Sequence, residues 1–380
     1  MATPAVPQYL GQNFNDVPPG HRFTLYGAFW EPEQGWQRVK NIPPADLKKG
    51  FGPLTPQNKQ LRDALRARQT QIAANLGETV WTIEAQSIAP FVTGTGIEHP
   101  LENGMAFLNP YGLPYLPGSG VKGVLRRAAE ELRDNVFGEG TQGWNQPAID
   151  TLFGKEPESG DTETERTRGT LTFWDVFPHC DRLAVDIMNP HYGDYYQGNT
   201  PPTDCGQPIP IFFLTVPEKS RFTFHVQCDR ARLPDDWPAD RWHALLEAAF
   251  VHAFDWLGFG AKTAVGYGAM RRDLDAEQQR RAETTQRFRQ AAAAALTPEQ
   301  RAIHELRGWL DEDRAAQRKE PGGRLANRLN ELFKEGLVWP AAERETLAQL
   351  AEAIYGYLDW GSGKKKQERK AKIQQLREAC

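Results

Sequence analysis

The run Gly258-Phe259-Gly260-Ala261-Lys262-Thr263-Ala264-Val265-Gly266-Tyr267-Gly268 constrains this chain more than any other segment. Four glycines within eleven residues follow directly on an apolar helical stretch. Glycine accepts positive φ and lets backbone approach a ligand closely. The N–H groups of such a run can therefore surround an anion while Lys262 adds charge. Two nucleotide motifs come near, and neither fits. Walker A needs Gly directly before Lys and a helix after it, whereas Ala261 precedes Lys262 and the helix comes first. The dinucleotide fingerprint needs a third glycine where Thr263 stands. A mononucleotide is disfavoured, and the phosphates of a polymer match better.

Charge then limits how a polymer can be held. At 380 residues the length suggests two or three domains, and the formal net charge of −4 excludes a uniformly basic coat. Any nucleic-acid contact must come from a local patch. The N-terminus lacks a basic segment followed by an apolar run, and no apolar stretch is long enough to span a bilayer. Four widely spaced cysteines, Cys180, Cys205, Cys228 and Cys380, form no secretory framework. The expectation is a reduced, cytoplasmic protein with no membrane partner.

Periodicity divides the chain into residues 1–77, 78–272 and 273–380. The first part is rich in Pro, Gly and aromatics, with one helix expected over Gln57–Leu76, and reads as an extended segment. In the second, Val80–Ser87 has strand composition, and Leu101–Leu116 is too rich in Gly and Pro for regular structure. Ser119 is placed to cap a helix carrying Val121, Val124, Leu125, Ala128, Leu132 and Val136, with Gly138 as its stop. Thr170–Val176, Ile209–Val216 and Phe222–Cys228 read as strands. A second helix from Trp242 to Leu257 and a last strand over Val265–Met270 follow. Strand, helix, strands, helix, strand is the ferredoxin-like (RRM-like) order, an α+β fold, here with insertions. The third part is all helical, with a capping box at Thr297-Pro298-Glu299-Gln300.

The second motif is Pro117-Gly118-Ser119-Gly120-Val121-Lys122-Gly123-Val124-Leu125-Arg126. A glycine-rich turn feeds a helix N-terminus, where N–H groups and the macrodipole favour an anion. Lys122 and Arg126 are four apart and share a face. The plain alternative is a capped surface helix with a solvated basic face. Two glycine motifs in one domain favour phosphate binding.

Leu113-Pro114-Tyr115-Leu116-Pro117-Gly118-Ser119 running into Val121-Lys122-Gly123, with the later Gly258–Gly268 loop, resembles the RAMP superfamily of CRISPR effector subunits. With Asp186-Ile187-Met188-Asn189-Pro190-His191-Tyr192 and Tyr195-Tyr196, the resemblance narrows to the sixth RAMP subunit of the type III-B Cmr complex, over about residues 78–272. It implies a subunit that binds guide RNA near its 3′ end, helps to recognise target RNA and neighbours other Cmr RAMP subunits. Carried over by position, Gly118, Ser119, Lys122, Arg126, Gly260, Lys262 and Thr263 would hold guide-RNA backbone. No cofactor, metal or reaction is implied for this chain.

Met188–Gln207, with His191, Tyr192, Tyr195 and Tyr196, reads as a thumb that pushes between nucleotides with its Tyr rings stacked on bases, or as an ordinary surface loop with aromatic packing; base stacking is worth about 1–3 kcal/mol. The rival reading is an endoribonuclease that processes guide or cleaves target RNA, with His191 and Asp194 or Asp186 as acid and base. His179, Cys180, Cys205, His225 and Cys228 lack metal-ligand spacing, and His225 and Cys228 should point to opposite faces of their strand. His252 is expected as a packing residue. The basic run Lys364–Lys372 reads as a solvated helix face or a further nucleic-acid contact.

Overall fold

Alternation along two strands sets the architecture. The computed structural model describes residues 2–11, 13–39, 42, 44–155, 167–189, 198, 201, 210–359 and 361–379. In it Val80–Ser87 pairs antiparallel with Arg221–Cys228, from Val80↔Gln227 to Gln86↔Arg221. Met270–Arg272 flanks the first strand and Leu171–Phe173 the second, both antiparallel. Helix Gly118–Arg133 lies in the connection from Val80–Ser87 to Leu171–Phe173, and helix Arg241–His252 in that from Arg221–Cys228 to Met270–Arg272. Two strand–helix–strand crossovers therefore interleave.

One sheet face is apolar. Ile83, Ala85, Phe222, Phe224 and Val226 are buried against Val121, Leu125, Ala128, Leu246, Ala249 and Phe250 of the crossover helices. The Phe224 ring centroid lies 5.4 Å from that of Phe250 and 4.9 Å from that of Phe259. The other face is polar, as a two-residue side-chain period requires. There helix Pro56–Leu76 lays Arg66 Nη2 on Thr223 Oγ1 at 3.0 Å, and Thr223 donates to Glu84 Oε2 at 2.8 Å. Gln69 donates to the Asp175 carbonyl at 2.7 Å, and Arg62 donates to that of Cys180.

The N-terminal segment is not simply extended. It forms short helices Pro19–Thr24 and Pro44–Phe51, and Phe23, Phe29 and Phe51 join the main core. Phe23 stacks on His99 at 3.8 Å between centroids, and His99 Nε2 donates to the Phe23 carbonyl at 2.9 Å.

Several boundaries differ from expectation. The first crossover helix ends at Arg133, Asn135 takes φ of 51°, and Val136 is exposed rather than part of the buried stripe. The last strand is Met270–Arg272 instead of Val265–Met270, because Gly266 and Gly268 hold positive φ and interrupt extension. Helix Gln146–Phe153, absent from the sequence reading, buries Ile149, Leu152 and Phe153. A hairpin pairs Ala184–Met188 with Ile211–Thr215, in register from Ala184↔Thr215 to Met188↔Ile211.

The chain divides into two compact units, Met1–Gln279 and Arg280–Cys380, with the boundary inside helix Leu274–Ala295. The second unit packs helices Pro298–Ala315, Arg324–Glu335, Ala341–Leu358 and Lys364–Glu378 around Leu306, Leu329, Leu332, Leu347, Ile354 and Leu376. The expected capping box is present: Gln300 N–H donates to Thr297 Oγ1, and Thr297 N–H to Gln300 Oε1. No helix among the described residues is long and apolar enough to cross a membrane.

His252 ties the end of one crossover helix to the other. Its Nε2 lies 2.9 Å from Glu131 Oε2 and its Nδ1 3.0 Å from Glu139 Oε2. Burial alone would raise the Glu131 carboxyl, but hydrogen bonds from His252 and Arg127 outweigh it and hold the group below its ordinary value. A carboxylate depressed in the folded state adds stability above its unfolded pKa, lost as pH falls through the folded value. In urea unfolding, His252→Gln should be less stable than wild type at pH 7. That gap should shrink between about pH 5 and about pH 3, where the carboxylates protonate. A gap independent of pH would remove the carboxylates from this account.

Candidate nucleic-acid interface

Helix Gly118–Arg133 starts hard against the sheet. A Cβ on Gly118 would lie 2.1 Å from the Phe173 carbonyl oxygen, so only glycine fits. Its N–H donates to Asp175 Oδ1 at 2.8 Å. Pro117 occupies the cap position, and Ser119, expected as the cap, is instead an exposed residue of the first turn. A carboxylate at this end already answers part of the helix dipole. Side-chain charge therefore has to do most of the gripping of any second anion.

That charge is concentrated around Lys122. Burial lowers its pKa, and two neighbouring cations, Arg126 and Arg168, lower it further. Arg126 serves a structural purpose: Nε donates to Glu130 Oε1 at 3.1 Å and Nη1 to the Gly154 carbonyl at 2.9 Å. Gly154 bridges Arg168 in turn, and the Arg168 side chain is exposed. Arg126 thus fixes the Gly154 end of the bridge that presents Arg168 beside Lys122. No motif in the sequence marks Arg168, since it reaches the helix start only through this bridge.

The glycine run is held by its own backbone. Phe259 N–H donates to Gly268 O at 2.9 Å, Ala261 N–H to Val92 O at 2.7 Å, and Gly268 N–H to Pro90 O at 2.8 Å. All four glycines have positive φ. A Cβ on Gly260 would meet Val92 O at 2.3 Å, and one on Gly268 would meet Phe259 O at 1.8 Å. Those two glycines serve close packing of main chain on main chain, a role distinct from wrapping a ligand.

Lys262 takes φ of 60° and reaches the hairpin, with Nζ 3.1 Å from Met188 Sδ and 5.5 Å from the Phe213 ring centroid. Thr263, half-buried, opens a short 3₁₀ turn over Thr263–Val265. Tyr267 donates to Asp186 Oδ2 at 2.8 Å; burial and this bond push the phenol up to about 12. The glycine loop is fastened in this way to the base of the hairpin. The charges that act on Lys122 are Arg126 and Arg168, whereas Lys262 touches Met188 and Phe213, so the two lysines keep separate neighbours.

His191, Tyr192, Tyr195 and Tyr196 lie outside the described residues, as do Asp194 and Cys205. Asp186, named in the acid–base alternative, is the acceptor for Tyr267. His225 faces Thr82 at 2.9 Å on the polar side of the sheet, while Cys228 is buried in the apolar core. Among the described residues no group of His, Cys, Asp and Glu is arranged to hold a metal.

Residues 84–271 match the RAMP superfamily. The chain is 31% identical over 229 residues to the CRISPR system Cmr subunit Cmr6 of Pyrococcus furiosus, which covers 47% of this chain. It spans 64% of the length of that relative. Among solved structures, a chain of the type III-B Cmr-beta complex bound to cognate target RNA overlays with a TM-score of 0.41 and 19% identity, covering 59% of this chain and 68% of its own. The crystal structure of Cmr6 from Pyrococcus furiosus overlays at 0.27 with 29% identity, covering 51% of this chain and 98% of its own. The glycine-held loop, the helix start and the sequence match occupy one stretch, residues 84–271, and that region is similar to the RAMP superfamily, with Cmr6 as a relative.

Proposed function

We propose that this chain is a guide-RNA-binding subunit of a type III-B CRISPR Cmr ribonucleoprotein, lying near the 3′ end of the guide and helping to recognise target RNA. Its partners in this reading are guide RNA, target RNA and other Cmr RAMP subunits, in the cytoplasm. The sequence relationship to Cmr6 supports the assignment to the complex. The observation that carries RNA binding is the like-charge group at the first crossover helix. Lys122, Arg126 and Arg168 repel one another, and only Arg126 has a carboxylate bound among the contacts described. Such an arrangement gains little for folding and is relieved by an anion. The strand order Met270–Arg272, Val80–Ser87, Arg221–Cys228, Leu171–Phe173 supports reading the domain as a ferredoxin-like RAMP core. The second unit is read as an appended all-helical domain.

The chain binds backbone and leaves chemistry to other subunits. Lys122 and Arg168 supply charge, the Gly118–Arg126 helix start sets their position, and Lys262 with Thr263 presents a second contact beside the hairpin. Tyr192, Tyr195 and Tyr196, with His191 in the same thumb segment, would add base stacking to this backbone contact. Recognition of this kind follows shape and charge, so affinity should fall steeply with salt and vary little with sequence.

The test is binding of a short single-stranded RNA to the full chain across a salt titration, with Lys122→Ala/Arg168→Ala as the variant. Arg126 is left intact because its loss would also free Gly154 and the bridge to Arg168. Removing two phosphate contacts should reduce the slope of log affinity against log salt by about 1.4, at about 0.7 per contact for a single strand. An unchanged slope rejects both residues as phosphate ligands. Within the glycine loop, Gly266→Ala meets nothing within 4 Å and should cost only the left-handed backbone penalty, about 1–2 kcal/mol. Gly268→Ala adds a main-chain collision and should cost clearly more in urea unfolding.

A further inference from the structure

The polar sheet face carries a second row of positive charge that the reading above does not use. Register places Arg271 opposite Gln86, Gln86 opposite Arg221, and Arg221 opposite His179. Directly paired residues share a face, so the four form one line across neighbouring strands. At about 4.8 Å per strand, the line is roughly 14 Å long. Arg271 and Arg221 are exposed. Arg271 Nη2 donates to Gln86 Oε1 at 3.0 Å, and the Gln86 amide nitrogen donates to the Lys219 carbonyl at 3.5 Å.

Two more arginines lie beneath. Arg62 is buried, with Nη2 3.4 Å from His179 Nε2, and Arg66 has a buried Nη1 with no hydrogen-bond partner. The counter-charges are Asp63, whose Oδ1 is 4.0 Å from His179 Nδ1, and Glu84, reached from Arg66 through Thr223. Asp181, which Lys59 Nζ holds at 2.9 Å, also interacts with Arg62 and His179, so four guanidinium groups and one ammonium face three carboxylates. His179 bears the consequence. Burial lowers its pKa first, and Arg62, Arg66 and Arg221 lower it further, to about 4. The ring is a neutral acceptor toward Arg62, surrounded by cations that one more anion would relieve.

We propose that the row Arg271–Gln86–Arg221–His179 is a second binding site for phosphodiester backbone, on the sheet face opposite the crossover helices. It rests on the RNA-binding reading of the chain. The ligand is a polyanion: charge spread along the row outruns one phosphate, and planar guanidinium forks suit phosphate oxygens. An acidic protein segment would need charges at the same spacing.

The experiment uses the full chain and a short oligouridylate, with Arg221→Gln/Arg271→Gln as the variant, Arg221→Lys/Arg271→Lys as its charge-preserving control, and Lys122→Ala/Arg168→Ala alongside. The Gln variant should bind several-fold more weakly, with a salt slope reduced by about 1.4, and the Lys variant should keep the wild-type slope. In the full chain with labelled histidine, assigned through His179→Gln, saturating oligouridylate should raise the His179 titration midpoint. Wild-type affinity and slope in the Gln variant, with weakened binding in Lys122→Ala/Arg168→Ala, would overturn this site alone. Absence of RNA binding by the wild-type chain would overturn both readings. An equal His179 response to inorganic phosphate at matched phosphate concentration would assign the row to a free anion and overturn a strand site.

Discussion

Seven consecutive antiparallel pairs between Val80–Ser87 and Arg221–Cys228 decide what the rest of the first unit can be. Because side chains alternate, the pairing sends Ile83, Phe222, Phe224 and Val226 one way and Thr82, Glu84, Thr223 and His225 the other. A slip of one residue would put phenylalanine against Arg66 and glutamate against Phe250. The apolar side recruits both crossover helices by burial of hydrocarbon. The polar side can be covered only by something that satisfies it, and helix Pro56–Leu76 does so with guanidinium and amide groups.

Arginine serves two ends in this molecule, and neighbouring atoms tell them apart. Arg126 and Arg272 are saturated: the first by Glu130 and the Gly154 carbonyl, the second by Glu277 and Glu247 at 2.9 and 2.6 Å. Arg168 and Arg221 are exposed and lie near other cations. A saturated arginine fixes main chain, whereas one placed among like charges leaves a field that an outside anion can answer. Two such fields occur in the first unit, one at the first crossover helix and one on the opposite sheet face. A chain of net charge −4 reaches local positive potential by this kind of clustering.

Much of this was legible in the sequence where a pattern is local. Val80–Ser87 reads directly as a strand, Pro56–Leu76 differs by one residue from its expected start, and the Thr297 capping box stands where its spacing puts it. What failed was decided at long range. Ser119 looks like a cap until Asp175, from another segment, takes the first N–H. Val265–Met270 has strand composition, yet Gly268 is turned to satisfy Pro90, far back in the chain. Arg126 shares a helical face with Lys122, but its partner Gly154 lies twenty-eight residues on. The row Arg271–Gln86–Arg221–His179 joins four separate segments and exists only once strand register is set.

The fastening of the glycine loop to the hairpin has a mechanical side. Asp186 and Met188 stand on the strand entering residues 189–210, Phe213 stands on the strand leaving them, and all three are gripped from one loop by Tyr267 and Lys262. The gripping loop is itself packed main chain on main chain, since a Cβ on Gly260 or Gly268 would collide with a carbonyl oxygen. A shift of either hairpin strand is therefore felt at Lys262, strand and loop moving as one lever.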